Sequence, residues 1–159
     1  MDLCTLLQLI IVSILATSAM TLFSYAMSES FRELYKEPVL LTFLLIKLNI
    51  EVSVQTKKYL AWLLHYFIGF LFVLAYHILW FYNILYISVL SAFLLGIASG
   101  IIGIIGWVIM FKIADYKPKI DFKGYYIQLF FAHIIFAVIA TAAYYLLSVL
   151  SVLGNAYAS

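Results

Sequence analysis

Four long apolar stretches dominate the pattern of hydrophobic and polar positions along this chain. They cover about residues 6–27, 59–81, 84–113 and 125–150. Lys112, near the end of the third stretch, is the one charged side chain within them. A helix needs ~20 apolar residues to cross ~30 Å of hydrocarbon. The pattern therefore predicts an all-α membrane protein whose single domain, residues 1–159, is a four-transmembrane-helix bundle.

The connections between these stretches differ in length. The third stretch follows the second so closely that the two are expected to form an antiparallel helical hairpin. The long connection is 28–58, where Pro38 can occupy the first turn of a helix and residues 39–46 are almost all apolar. Upstream, the apolar side chains within 31–35 share one face. We expect residues 28–50 to form short amphipathic helices in the headgroup region of one leaflet.

The charges predict which way the bundle is oriented. All nine lysine and arginine residues fall in segments 28–58 and 112–124. Cytoplasmic loops attract Lys and Arg, so both segments are expected to face the cytoplasm, with both chain termini on the outer, periplasmic side. Six of the seven acidic residues lie in the same segments, so the formal charge of +2 does not indicate nucleic-acid binding. The first stretch lacks a basic N-terminal region and is expected to be a retained span rather than a signal peptide.

Small residues recur at helical spacing along the third stretch. They are Gly96, Gly100, Gly103 and Gly106. Because lipid is as apolar as leucine, helices in a membrane associate through close backbone contact and buried polar pairs. We expect these glycines to form the helix-packing surface of the third span.

The four stretches contain three histidines and no aspartate or glutamate. Ionisable side chains inside a membrane are candidates for function. His77 lies near the outer surface, whereas His65 and His133 lie ~10 Å and ~15 Å from the basic boundary at a rise of ~1.5 Å per residue. These two are therefore expected to meet at similar depth, near hydroxyl and amide side chains. The candidate ligand-binding or cofactor-binding residues are His65, His133, Gln128, Thr17, Thr21 and Gly69.

Three interpretations of His65 and His133 stay open. Each imidazole can hydrogen-bond a nearby polar group and add specificity to helix packing. The pair can instead ligate a b-type haem, with Gly69 leaving room for the porphyrin. It can also relay a proton or a metal ion, because imidazole titrates near neutral pH and binds metals. Two histidines without a carboxylate provide too few ligands for a metal ion, so no metal site is predicted. A proton pump that depends on buried carboxylates is also not expected, because the four stretches contain none.

Several short runs carry a resemblance to a known family. They are AMTLFSY (19–25), FRE (31–33), KEPVLL (36–41), HY (65–66), GF (69–70), DFK (121–123), QLF (128–130) and AH (132–133). In these runs the chain resembles a family of small, uncharacterised bacterial four-span membrane proteins. The resemblance implies a bacterial inner-membrane location and the four-span layout, and it provides no catalytic residue.

The sequence favours a protein without enzymatic activity of its own and without a cofactor. Its expected role is that of an accessory or assembly subunit of a larger membrane complex, or of a lipid-interacting scaffold. Membrane lipids, other subunits or a second copy of the chain are the expected partners. One alternative is a redox subunit that holds haem b or a quinone through His65 and His133. Another is a permeation pathway for protons or small solutes.

Overall fold

The computed structural model describes residues 3–158, with side chains as far as residue 154, and this range contains no β-strand. Its helices are α1 (Leu3–Phe31), α2 (Glu37–Lys47), α3 (Val54–Phe81), α4 (Val89–Ile113) and α5 (Phe122–Ala158). All except α2 are long and apolar enough to cross a membrane, α5 over Phe122–Gly154. The predicted bundle of four apolar helices, with a short helical segment after the first span, is confirmed.

The start of α4 differs from the prediction because a capping interaction determines it. Hydropathy places the start near residue 84, whereas the helix begins at Val89. The Ser88 side chain accepts a hydrogen bond from the Ser91 backbone N–H at 3.1 Å, and the Ser91 hydroxyl accepts one from the Ser88 N–H at 3.2 Å. This reciprocal pair satisfies two backbone donors that a helix start leaves unpaired. The apolar residues before Ser88 therefore belong to the connection.

The ends of the first four helices share one backbone feature. The residues just past these ends have left-handed φ angles of 55°, 52°, 54° and 44°, and they are Arg32, Asn49, Asn83 and Asp115. This conformation is common after a helix C-terminus, where it lets the chain turn away. Asn and Asp tolerate it better than most residues other than glycine. Each connection therefore starts with a sharp reversal.

Helix α5 lies at the centre of the packing, against α1 on one side and α4 on the other, and α3 packs against α1 and α2. Within the described range, the backbones of α3 and α4 do not pack closely, although these helices are consecutive in the chain. They meet near their connection, where the Tyr76 hydroxyl donates a hydrogen bond to Ser99 Oγ at 2.9 Å. The expected hairpin is thus antiparallel and closed at one end only.

The contact between α4 and α5 depends on two of the predicted packing glycines. A Cβ added at Gly96 would lie 2.8 Å from the Cα of Ile134, and one added at Gly100 would lie 2.8 Å from Phe130 Cδ2. Neither distance is compatible with an added side chain unless the Ile134 backbone or the Phe130 ring moves. The missing Cβ atoms allow the close backbone approach that stabilises helix pairs in lipid.

Helix α2 lies at the basic end of the bundle, which we define as the end with connections 32–53 and 114–121. Leu40, Leu41 and Leu44 are buried in the core, and the Phe43 ring lies 6.3 Å from that of Tyr116 in the connection between α4 and α5. Helix α2 therefore packs into the bundle beside α3 rather than lying only on a membrane surface.

The segment just before α2 is not the separate short helix that the sequence suggested. Residues 28–31 continue α1, and the chain then turns at Arg32. Tyr35 follows the turn and is 3% exposed, with its ring 6.2 Å from that of Tyr125. Burial of this aromatic side chain against α5 fixes the approach of the chain to α2.

Candidate functional site

A cavity of about 360 Å³ lies between α3 and α4, and we call it the α3–α4 cavity. All five helices contribute to its lining, which is largely apolar and aromatic. Its lining side chains with hydrogen-bonding groups are those of Thr17, Glu37, His65, Trp107 and His133. Ile102 and Ile109 also line it, and they are 57% and 50% exposed on the outside of the bundle. The cavity therefore opens through the gap between α3 and α4, on a surface that would face lipid.

His65 is buried on α3 and is held by α1. Its Nε2 lies 2.9 Å from Thr21 Oγ1, while the Thr21 hydroxyl donates its own hydrogen to the Thr17 carbonyl at 2.7 Å. The Thr21 oxygen must therefore accept from His65, which assigns the ring proton to Nε2. The remaining nitrogen of the neutral ring, Nδ1, is then an acceptor.

His133 is buried on α5 and has the opposite tautomer. Its Nδ1 lies 2.8 Å from the Leu129 carbonyl oxygen, which can only accept, so the proton is on Nδ1 and Nε2 is left with a lone pair. The ring packs over Gly103, where an added Cβ would lie 2.6 Å from Cε1. It also meets the Phe72 ring edge-on at 5.6 Å. Gly103 thus makes room for the imidazole at the cavity wall.

Glu37 is the acidic residue that opens α2, and it is 1% exposed. Its Oε1 accepts a hydrogen bond from Ser24 Oγ of α1 at 2.7 Å and makes a longer contact with Gln128 Nε2 of α5 at 3.5 Å. Gln128 Nε2 also donates to Ser24 Oγ at 2.6 Å. A buried polar junction of three helices therefore lies at the basic end of the α3–α4 cavity.

Sequence reasoning missed Glu37 because it counted every acidic residue of segment 28–58 as lying outside the bundle. One feature of the sequence did indicate that this segment is buried. Residues 39–46 are apolar on all sides of the helix except for Thr42, and a helix that is hydrophobic all round is typical of a buried position. A charged residue one position before Pro38 would then enter the protein together with that helix.

Several buried polar atoms around this junction have no hydrogen-bond partner among the described residues. They are Glu37 Oε2, Thr17 Oγ1, Gln128 Oε1 and Tyr125 Oη, and a fifth, Trp80 Nε1, lies elsewhere. Leaving a buried polar group unpaired costs ~1–3 kcal/mol. Thr17 and Glu37 line the α3–α4 cavity. Two of the residues that line the cavity therefore carry hydrogen-bonding capacity that the described part of the chain does not use.

Burial also changes the acidity of Glu37. Loss of hydration raises the pKa of this carboxyl from 4.5 to about 7, although hydrogen bonds from Ser24 and Gln128 partly oppose the increase. Burial disfavours the charged form of a carboxyl group because a low-dielectric interior solvates it poorly. The group therefore changes protonation state near neutral pH.

Most of the candidate residues from the sequence surround this cavity. Those that line it are His65, His133, Thr17 and Gly69. Thr21 contacts the His65 ring, and Gln128 contacts the Glu37 carboxyl. His77 lies apart from them, with Nδ1 2.8 Å from the Tyr144 hydroxyl. Among the described residues, no group of three or more His, Cys, Asp or Glu side chains could hold a metal ion.

The last glycine of the third-span series has a different environment from the others. A Cβ added at Gly106 would meet nothing within 4 Å, because this residue lines the α3–α4 cavity instead of touching another helix. Gly69, on the opposite wall, packs directly on the Thr17 hydroxyl. Gly106 therefore adds space to the cavity, whereas Gly69 lets α1 and α3 approach.

No protein-family model, curated protein or solved structure matches this chain.

Proposed function

We propose that this multi-pass membrane protein binds an amphipathic, lipid-class molecule in the α3–α4 cavity. The observation that carries the proposal is a largely apolar cavity that opens between two membrane-length helices and has polar groups at its basic end. A molecule with one polar and one apolar end matches this arrangement. This is a specific form of the lipid-interacting role that the composition favours.

The size and position of the cavity support binding of a small amphipath. Its volume of about 360 Å³ falls within the ~300–1,000 Å³ that small-molecule sites usually occupy. Glu37 and Leu41 of α2 line the basic end, while the exposed flanks of Ile102 and Ile109 mark the opening. A headgroup near Glu37 would leave its chain pointing along α4 and out into the bilayer.

Native mass spectrometry of protein released from mild detergent tests this proposal. We expect a bound amphipath on the wild-type protein and its loss in Gly106→Leu, because the new side chain enters open space in the cavity. Gly154→Leu is the matched control, since an added Cβ there also meets nothing within 4 Å but the site is remote. Retention of the adduct by Gly106→Leu, or its absence from the wild type, would contradict the proposal.

A second function, proton movement, is favoured by one specific observation. Glu37, His65 and His133 are titratable side chains that line the same cavity. Proton uptake by liposomes containing a pH-sensitive dye tests it, with the expectation that Glu37→Gln and His133→Ala both abolish the flux. Tyr145→Phe, at a residue 58% exposed on α5, is the control. Flux that is unaffected by either cavity substitution would remove this function.

The remaining predictions from the sequence still require separate tests. Ligation of haem by His65 would require its Nε2 to break the hydrogen bond to Thr21, or its Nδ1 to bind the iron instead. A Soret absorption band would reveal a bound haem. Membership of a larger membrane complex, or a homo-oligomer, would be detected as co-purification. Residence in a bacterial inner membrane with both termini outside would be read from reporters fused to each end.

A further inference from the structure

We propose that the ligand of the α3–α4 cavity has a headgroup that donates hydrogen bonds and carries no negative charge, such as the hydroxyl of a lipid alcohol or the amine of a lipid amine. This inference rests on the proposed function and specifies the headgroup class. It follows from which lining atoms can donate and which can accept.

The polar lining of the cavity consists mainly of acceptors. Glu37 Oε2 has no partner among the described residues, and above the pKa of this carboxyl, about 7, the ionised group only accepts. The proton on His133 is committed to the Leu129 carbonyl, so its Nε2 presents a lone pair. The proton on His65 is committed to Thr21 in the same way. When Glu37 is ionised, a headgroup that supplies hydrogens therefore matches these three acceptors.

The uncommitted donors of the lining are the Thr17 hydroxyl, whose oxygen has no partner among the described residues, and the indole N–H of Trp107. A hydroxyl can donate and accept in the same geometry. A headgroup with only acceptor oxygens, such as an oxidised quinone or an ester, could pair with these two donors but would have no hydrogen to offer to Glu37, His65 or His133. The tautomers of His65 and His133 disfavour that class.

Charge leads to a related conclusion. None of the nine Lys and Arg residues is among the described residues that line the cavity. An anionic headgroup would enter a buried, weakly polarisable site next to Glu37 without a countercharge, which is costly. An amine would instead pair with the carboxyl, and a hydroxyl would satisfy it without any net charge. Phosphate and carboxylate headgroups are therefore excluded from the polar end.

Trp107 lines the cavity and provides a direct readout. In a Trp62→Phe/Trp80→Phe background, Trp107 is the only tryptophan, since the chain has three. At about pH 8.5, where Glu37 is ionised, probes with one dibrominated chain and four different headgroups, an alcohol, an amine, a methyl ester and a carboxylate, will quench its fluorescence when bound. The control is the same background carrying Gly106→Leu. Saturable quenching that exceeds the quenching of this control measures occupancy of the cavity.

We expect the alcohol and the amine to saturate at concentrations at least about tenfold lower than the ester and the carboxylate, the preference that one hydrogen bond to a charged acceptor supports. Tighter binding of the amine than of the alcohol would identify a cationic headgroup, and equal binding would show that a hydroxyl suffices. Both results support the proposal.

Glu37→Gln should reduce this preference to within about threefold, because the amide replaces an acceptor with a donor. If this variant does not fold, the comparison of the four probes on the protein that retains Glu37 still tests the headgroup assignment. Equal saturation by all four probes, or strongest binding of the ester or the carboxylate, would overturn the headgroup assignment while leaving lipid binding intact. No saturable quenching by any probe would instead overturn the proposed function.

Discussion

Helix α4 has two neighbours in the bundle, and its two sides differ in how they are filled. Towards α5, Gly96 and Gly100 bring the backbones into direct contact. Towards α3, the backbones stay apart and enclose a cavity with Gly106 on its wall. One series of glycines therefore serves two purposes, close packing in one half of α4 and open space in the other. Glycine spacing alone does not distinguish them, because only the neighbouring helix decides which purpose applies.

The largest expected effect is a pH dependence of stability on the cavity side of α4, caused by Glu37. The folded-state pKa of Glu37, about 7, exceeds its usual value of 4.5 because of burial, so folding favours the protonated carboxyl. This stabilisation is fully present below pH 4.5 and is lost as the pH rises through 7. We expect the contribution of this carboxyl to the free energy of unfolding in detergent to fall by about 3 kcal/mol across that window.

The matched variant for this pH dependence is Glu37→Gln, which keeps the shape of the side chain and cannot titrate. Denaturant unfolding at several pH values should give a difference between the wild type and this variant that changes by about 3 kcal/mol between pH 4.5 and 7, since every other titratable group is common to both proteins. Tyr25, Tyr125, His65 and His133 are the other titratable groups around Glu37. An unchanged pH profile in Glu37→Gln would assign the transition to one of these groups and contradict the role of the carboxyl.

The second prediction compares the glycines directly. Gly96→Ala forces a methyl group against the Cα of Ile134 at 2.8 Å, and such overpacking costs ~1–3 kcal/mol. Gly106→Ala meets nothing within 4 Å and should be neutral or stabilising by up to ~1 kcal/mol, the difference in helix propensity. Thermal unfolding of both variants measures this contrast. Equal destabilisation would show that α3 and α4 are in closer contact than described.

A smaller effect is expected where α3 and α4 do meet. Tyr76→Phe removes the hydrogen bond to Ser99 and should cost ~1 kcal/mol, with greater separation of the two helices. Spin-label distances between α3 and α4 would detect that separation. Tyr145→Phe, which removes a hydroxyl from an exposed position, should leave both stability and distance unchanged.

An effect of similar size is expected in the turn that joins these helices. Asn83 has a φ of 54°, so Asn83→Ala should destabilise the protein by about 1 kcal/mol, whereas Asn83→Gly should change stability by a few tenths at most. Comparison of the melting temperatures of the two variants is sufficient. A larger loss for glycine than for alanine would mean that the turn has a different conformation.

Hydropathy predicted the four long helices because membrane-length apolar runs leave few alternatives. It did not predict their ends, since the Ser88–Ser91 capping pair and the left-handed turn at Arg32 are local interactions that do not depend on average apolarity. It also did not predict that α3 and α4 would separate. Short connections make consecutive helices neighbours in most bundles, but here α3 packs against α1 and α2.

The candidate site was partly predictable for a similar reason. Helical rise places His65 and His133 at similar depth, and both line the cavity. Glu37 was not found because charge counting assigns an acidic residue in a long connection to water, whereas Ser24 and Gln128 provide a buried partner for it. These hydrogen bonds join three separate segments of the chain, so no pattern within one segment predicts them.

A crystal structure of the protein grown from a lipidic mesophase tests the central claim, ligand occupancy of the α3–α4 cavity, most directly. We expect elongated density between α3 and α4, with its polar end within hydrogen-bonding distance of Glu37 Oε2 and its chain leaving beside Ile102 and Ile109. Direct packing of α3 on α4, with Phe72 and Met110 filling the space between them, would contradict it.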